Sequence, residues 1–338
     1  SGTPRGVPLP RLTLWKERLV GAYILRRLMF GLVTIWLVTI IVFVGLRVVV
    51  PIFYGDVVDI IAGEYAADPA FEEQLREQFG LDAGLVDQYV SWIGDTLRGD
   101  MGESLISGRS IAGELKRRVP VSLELGLLGL ASAVFLAIPM GAVAALMQDR
   151  KPDYVLRIYA IGSNSVPGFW IAILIITFGS LWFRWAPPIN YEHFIDDPIA
   201  HLKIIAIPAL LVGLTPSGGL LRIMRTQMLE VLRQDYIRTA RAKGLTERTV
   251  VLRHAMRNSL IPIVTLIGLA LPGVIAGTAL YEAIFVLPGM GLYLVRSTVQ
   301  LDYPVIQATN LVFAVLIVGA NLLVDISYTF LDPRIRYS

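Results

Sequence analysis

The chain has 338 residues, 55% of them hydrophobic and only 17% charged, with a formal net charge of +3 and no cysteine. That balance is too apolar for a water-soluble protein of this length and places the chain in a bilayer. The lack of cysteine excludes a disulfide scaffold and a thiolate metal site.

In chain order, Leu12, Trp15, Leu19, Ala22 and Tyr23 recur at helical spacing among Lys16, Glu17, Arg18, Arg26 and Arg27. This predicts an interfacial helix inside an N-terminal segment, 1–27. Six runs free of Asp, Glu, Lys and Arg then follow, at 28–46, 125–147, 158–183, 204–221, 259–281 and 303–324. Each reaches the roughly 18 residues needed to cross a hydrocarbon core of about 30 Å. Their continuity predicts helices, since barrel strands alternate in shorter pieces. The expected fold class is an all-α polytopic membrane protein with six transmembrane helices.

The first span is expected over 28–50 and a core of five more over 121–332. Between them, residues 51–120 are too long and polar for a plain connector and predict a small helical insertion. One of its faces carries Phe71, Leu75 and Phe79, ending at Gly80, and a second carries Tyr89, Trp92, Ile93 and Leu97. With both termini on the cytoplasmic side, twenty of the 30 basic residues fall inside, including those of the 333–338 tail. The positive-inside bias therefore favours that orientation.

Several chemistries are excluded. No lysine follows a glycine, so no Gly-Lys-Ser/Thr phosphate loop exists and any energy source of that kind must be another polypeptide. The spans carry no central ionisable group of the kind that relays protons; Glu124, Glu282 and Asp325 sit towards span ends, where boundary placement or partner pairing is expected. His193, His201 and His254 all read as loop residues, so no intramembrane serine–histidine pair forms. His193 and His201 read as solvated surface rather than as metal ligands. Within the spans, Pro139, Pro167, Pro208, Pro216, Pro262 and Pro272, with Gly218, Gly219, Gly268, Gly273 and Gly277, are expected to loosen helices or let them pack closely.

The stretch QDYIRTARAKGLTERTVVLRHAMRNSLIPIVT is a basic loop between two apolar runs. A short helix, a glycine stop at Gly244 and a return helix entering Pro262 are predicted, with Gly244 at positive φ. It resembles the cytoplasmic coupling ("EAA") loop of ABC importer permeases, in the variant of dipeptide and oligopeptide permeases. The generic motif has glutamate where Arg238 stands here, and Pro262 lies later than its generic spacing. The segments FGLDAGLVDQYVSWIGDTLRGDMGESL and LPGMGLYLVRSTVQLDYPVIQATNLVFA, with the closing DISYTFLDPRIR, are similar to the B-type subunit of peptide permeases. In the second of these, Pro288, Gly289 and Gly291 read as shaping a turn.

The resemblance implies a type I (MetI-like) permease core with an extracytoplasmic insertion after the first span. It implies transport of di- or oligopeptides without enzymatic activity in this chain, in the inner membrane of a prokaryote. The same machinery in related permeases carries nickel chelates, opines or other small solutes, and an ion-coupled secondary transporter is the alternative from another class. The implied partners are a second homologous permease, as a heterodimer, two ATP-binding cassette subunits, an extracytoplasmic substrate-binding protein and the lipid bilayer, with no nucleic acid. No cofactor is expected on this chain, and ATP and Mg belong to the partner subunits. The coupling loop, 226–262, would place Asp235, Tyr236, Arg238, Thr239, Ala240, Arg241, Ala242, Lys243, Gly244, Leu245, His254, Arg257, Asn258 and Pro262 at the ATPase contact.

Overall fold

The computed structural model describes residues 10–54, 83–188 and 190–331. The expected face of Phe71, Leu75 and Phe79 and the basic tail with Arg334 and Arg336 lie outside these residues. Among the described residues every regular element is helical, with one isolated bridge between Glu103 and Ser110.

Helix α1 (Pro10–Val44) passes through a π-helical turn, Gly45–Val49, into α2 (Val50–Tyr54). The interfacial helix expected before the first span is therefore not separate from it. Nothing in 12–46 breaks the backbone, so the basic and apolar stretches form one rod. Helix α3 (Leu85–Leu97) docks on α1 through Tyr89 and Trp92, whose rings lie 5.3 and 6.2 Å from Phe43. Thr39 and the Tyr89 hydroxyl share a hydrogen bond of 2.8 Å. Leu97, expected on the same apolar face, points to solvent instead, because α3 ends there and the chain turns at Gly99 (φ +89°).

The core is built from α4 (Ile111–Leu146), α5 (Lys151–Ser165), α6 (Gly168–Phe183), α7 (Pro198–Leu232), α8 (Asp235–Ala242), α9 (Glu247–Thr249), α10 (Met256–Phe285), α11 (Met290–Val299) and α12 (Tyr303–Leu331). A π-helical segment, Val250–Ala255, joins α9 to α10. Five described helical stretches are long and apolar enough to cross a membrane, and the bent pair α5–α6 supplies a sixth. The expected continuous span at 158–183 is thus corrected to two half-helices meeting at 96°. The cause is Pro167: it has no N–H to donate, and it drives the preceding Val166 into extended geometry (φ −106°, ψ 123°). The other five span prolines remain inside unbroken helices.

In lipid, burial of apolar side chains gives little drive for helices to associate, because the acyl chains are equally apolar; close van der Waals packing and interhelical hydrogen bonds must do it. The α4–α7 pair shows both. A Cβ on Gly213 would overlap Ser132 Oγ and the Gly129 carbonyl, and one on Gly129 would overlap Val212. Ser132 Oγ donates across the contact to the Ala209 carbonyl at 3.0 Å. Helix α5 approaches α7 in the same way at Gly218, with a 2.7 Å hydrogen bond between Tyr159 and Ser217. Of the other expected glycines, Gly268 faces Val324 of α12, while Gly219, Gly273 and Gly277 meet nothing. Helix α1 stands apart, packing mainly on α12, where Arg27 meets Asp325 at 3.3 Å.

Candidate functional site

The loop between α7 and α10 projects from one end of the bundle as a seated platform. In α8, Ile237 and Ala240 fall one helical turn apart and point inward, packing with Val250, Val251 and Ala255 and with Met224 and Met228 of α7. Ile237 is fully buried and anchors the helix; it was not among the expected contact residues, although its apolar side chain in a polar octapeptide was the available signal. Ala240, which was among them, faces the core and serves the seating rather than an external contact. Asp235, Tyr236, Arg238, Thr239, Arg241, Ala242, Lys243, Gly244 and Leu245 form the exposed outer face.

The stop is chemically complete. Gly244 has φ +78°; its N–H bonds the Arg241 carbonyl at 2.9 Å, and the Leu245 N–H reaches back to Ala240 at 3.4 Å. These two bonds satisfy carbonyls that the helix end would otherwise leave orphaned. Across the turn, Arg241 grips Glu247 with two bonds, 2.7 and 3.0 Å, and this hydrogen-bonded contact raises the Arg241 pKa above its ordinary value. Arg238 reaches Asp235 at 3.4 Å. Both pairs are exposed. Glu247→Gln is expected to change chain stability by less than about 1 kcal/mol in thermal unfolding, as for other surface pairs.

The return segment contributes Asn258, which donates to the Tyr236 hydroxyl at 2.7 Å and so ties α10 to α8. His254 lies in the π-helical segment, not in a loop, and is half-buried; Pro262 is half-buried inside α10. Arg257 is exposed in an open groove with Leu252, Arg253, Met256 and Leu260. The expected residues thus divide into the α8 face, a brace at Asn258 and a separate groove.

Sequence reasoning missed the ion pair beneath this platform. Asp153, in the first turn of α5, is fully buried and takes two bonds of 2.7 Å from Arg225 of α7, a third of 3.0 Å from the Asp149 N–H, and a longer contact of 3.6 Å from Arg157. Nothing local in the sequence pairs positions 72 residues apart.

A second polar knot closes the opposite end. His201 belongs to the first turn of α7, held by the Asp197 cap, and is 1% exposed, which corrects the expected solvated loop position. Its Nδ1 lies 2.8 Å from the Glu192 carbonyl, and its Nε2 lies 2.8 Å from Glu124 of α4. A carbonyl only accepts, so Nδ1 carries a proton, and a further proton lies between Nε2 and the carboxylate. Neither nitrogen keeps a lone pair free for a metal. The Tyr191 hydroxyl donates to Glu124 at 3.1 Å; burial and the adjacent carboxylate push that phenol above its usual range, so it stays a donor. His193 meets the edge of the Tyr191 ring instead of joining His201. Glu124, Asp325 and Glu282, the span-end carboxylates, are all engaged, the last by backbone N–H groups.

Residues 137–337 match the family described as binding-protein-dependent transport system inner membrane component. A putative peptide transport system permease protein of Brucella melitensis is 37% identical, over 94% of this chain and 100% of its own length. The oligopeptide transport system permease protein AppB of Bacillus subtilis is 36% identical, over 94% and 100%. The glutathione transport system permease protein GsiC of Escherichia coli is 35% identical, over 93% and 99%.

Proposed function

The chain belongs to the family of binding-protein-dependent transport system inner membrane components, and from that premise we propose how its parts work: as one permease subunit of an ATP-driven ABC importer of peptides. The observation that carries the proposal is the α8 platform, a short helix with its apolar side sunk in the core and its polar side presented whole. A push on α8 passes into the core cluster that Ile237 and Ala240 share with the Val250–Ala255 segment and with Met224 and Met228 of α7, and Asn258 braces α8 to α10. We place the platform in the groove of an ATP-binding cassette subunit, with Asp235, Tyr236, Arg238, Thr239, Arg241, Lys243 and Leu245 at the contact.

The assembly pairs this chain with a second homologous permease, two ATPase subunits that bind ATP and Mg, and an extracytoplasmic binding protein that delivers the peptide. Both termini then lie in the cytoplasm, with 51–120 and the His201 knot on the outer side. The peptide-named relatives support the cargo class. With few ionisable groups in the spans, selection among peptides rests with the binding protein.

The test is purification in mild detergent with mass spectrometry of what accompanies the chain, then reconstitution and peptide uptake. Co-purification of a second permease and ATPase subunits, with uptake that needs ATP and survives proton uncouplers, is the expected result. Recovery of the chain alone, or uptake abolished by uncouplers with ATP present, would overturn it.

A further inference from the structure

We propose that Glu282, together with Ser122 of α4, fastens α10, α11 and α4 into one rigid outer body and thereby confines the bending of the transport cycle to the inner half of α10. The inference rests on the importer reading above and adds to it a positioning residue and a hinge.

Helix α11 starts at Gly289, which has no side chain to cap the first turn. The missing acceptors come from two other helices. Ser122 Oγ of α4 accepts from the Met290 N–H at 2.8 Å, and Glu282 Oε2 of α10 accepts from Gly291 at 2.6 Å and from Leu292 at 3.3 Å. Ser122, Glu282 and Met290 are all fully buried. A carboxylate at the positive end of a helix, away from water, makes strong charge-assisted bonds. There is also no slack: a Cβ on Gly289 would overlap the Glu282 carboxyl group and come within 2.7 Å of Ser122 Oγ, and one on Gly291 would overlap Ala279 of α10. Gly289 (φ −92°) needs no glycine for its backbone, so the expected turn-forming role of these glycines is corrected to one of space. Glu282 Oε1 has no hydrogen-bond partner among the described residues, so the fastening rests on one oxygen.

The inner half of α10 is built differently. Pro262 and Pro272 each delete a helix hydrogen bond, freeing the carbonyls of Asn258 and Gly268. A displacement arriving from α8 meets this weakened half before it reaches the fastened end.

The chain has no cysteine, so paired spin labels can be placed in it at will before assembly with its partners. One pair, Leu252→Cys with Leu280→Cys, brackets the hinge; the other, Leu280→Cys with Val299→Cys, brackets the fastening, and all three positions are exposed. The expected result is a nucleotide-dependent distance for the first pair and an invariant one for the second. Glu282→Ala should make the second distance nucleotide-dependent and cut uptake per ATP by about tenfold, the scale of one lost buried charge-assisted hydrogen bond. Glu282→Gln, which keeps an acceptor oxygen, should restore both. A second-pair distance that already changes in the unmodified background overturns the inference, as does unaltered uptake per ATP in Glu282→Ala or failure of Gln to rescue. A first-pair distance blind to nucleotide in a complex that still takes up peptide with ATP also overturns it, whereas loss of ATP-dependent uptake in the unmodified complex would strike the importer reading itself.

Discussion

Alanine and asparagine at position 244 are expected to fold almost equally well and to fail equally as transporters. A Cβ built on Gly244 meets no atom of the chain within 4 Å, so inside this subunit the only penalty is that of a side chain at φ +78°. That penalty is about 1–2 kcal/mol for alanine and smaller for asparagine, whose side chain tolerates the left-handed region. Thermal unfolding of the purified chain should show this modest, graded difference. Uptake and ATP hydrolysis in the reconstituted complex should not be graded. If α8 and its turn sit in an ATPase groove, any added side chain intrudes on the partner. A loss of about thirtyfold in both variants, the scale of disrupting a central interface contact worth roughly 2 kcal/mol, is then expected. Impairment by alanine alone would assign Gly244 purely to the backbone turn. Full activity in both would remove α8 from the energy path.

What could be read from the residues follows a physical divide. The spans were legible because a bilayer selects for long uncharged runs, and hydropathy measures that selection directly. Direction within a run was not. Residues 158–183 carry no charge, so a search for uncharged runs passes through the polar Ser163, Asn164 and Ser165 that precede the 96° break at Pro167. The α8 turn was legible because helix-stop chemistry is local, a glycine after a basic last turn. Asp153, His201 and Glu282 were opaque because their meaning lies in partners from other helices: Arg225, Glu124 and the first N–H groups of α11. A histidine after a polar loop looks solvated until α4 supplies the carboxylate 77 positions away.

Asp153→Ala is the substitution expected to damage the chain most. It removes the carboxylate that holds Arg225 through two 2.7 Å bonds and leaves that guanidinium, 17% exposed, without its counter-charge beneath the platform. Breaking one side of a buried pair is strongly destabilising, because the remaining charge keeps its desolvation cost and loses its compensation. The cost should approach the lower end of the usual range, about 3 kcal/mol, since some water still reaches Arg225. The Asp149 N–H also loses its acceptor, which frees the turn between α4 and α5. Removing both partners is the discriminating experiment. Asp153→Ala combined with Arg225→Met leaves no orphaned charge at that pair, and Arg157 keeps its place over the Tyr154 ring. The double variant should therefore unfold later on heating than Asp153→Ala alone, although it carries one more substitution. Simple additivity of the two single losses would mean that Arg225 finds another partner, and that the α5–α7 contact is held by the Gly218 approach and the Tyr159–Ser217 bond rather than by charge.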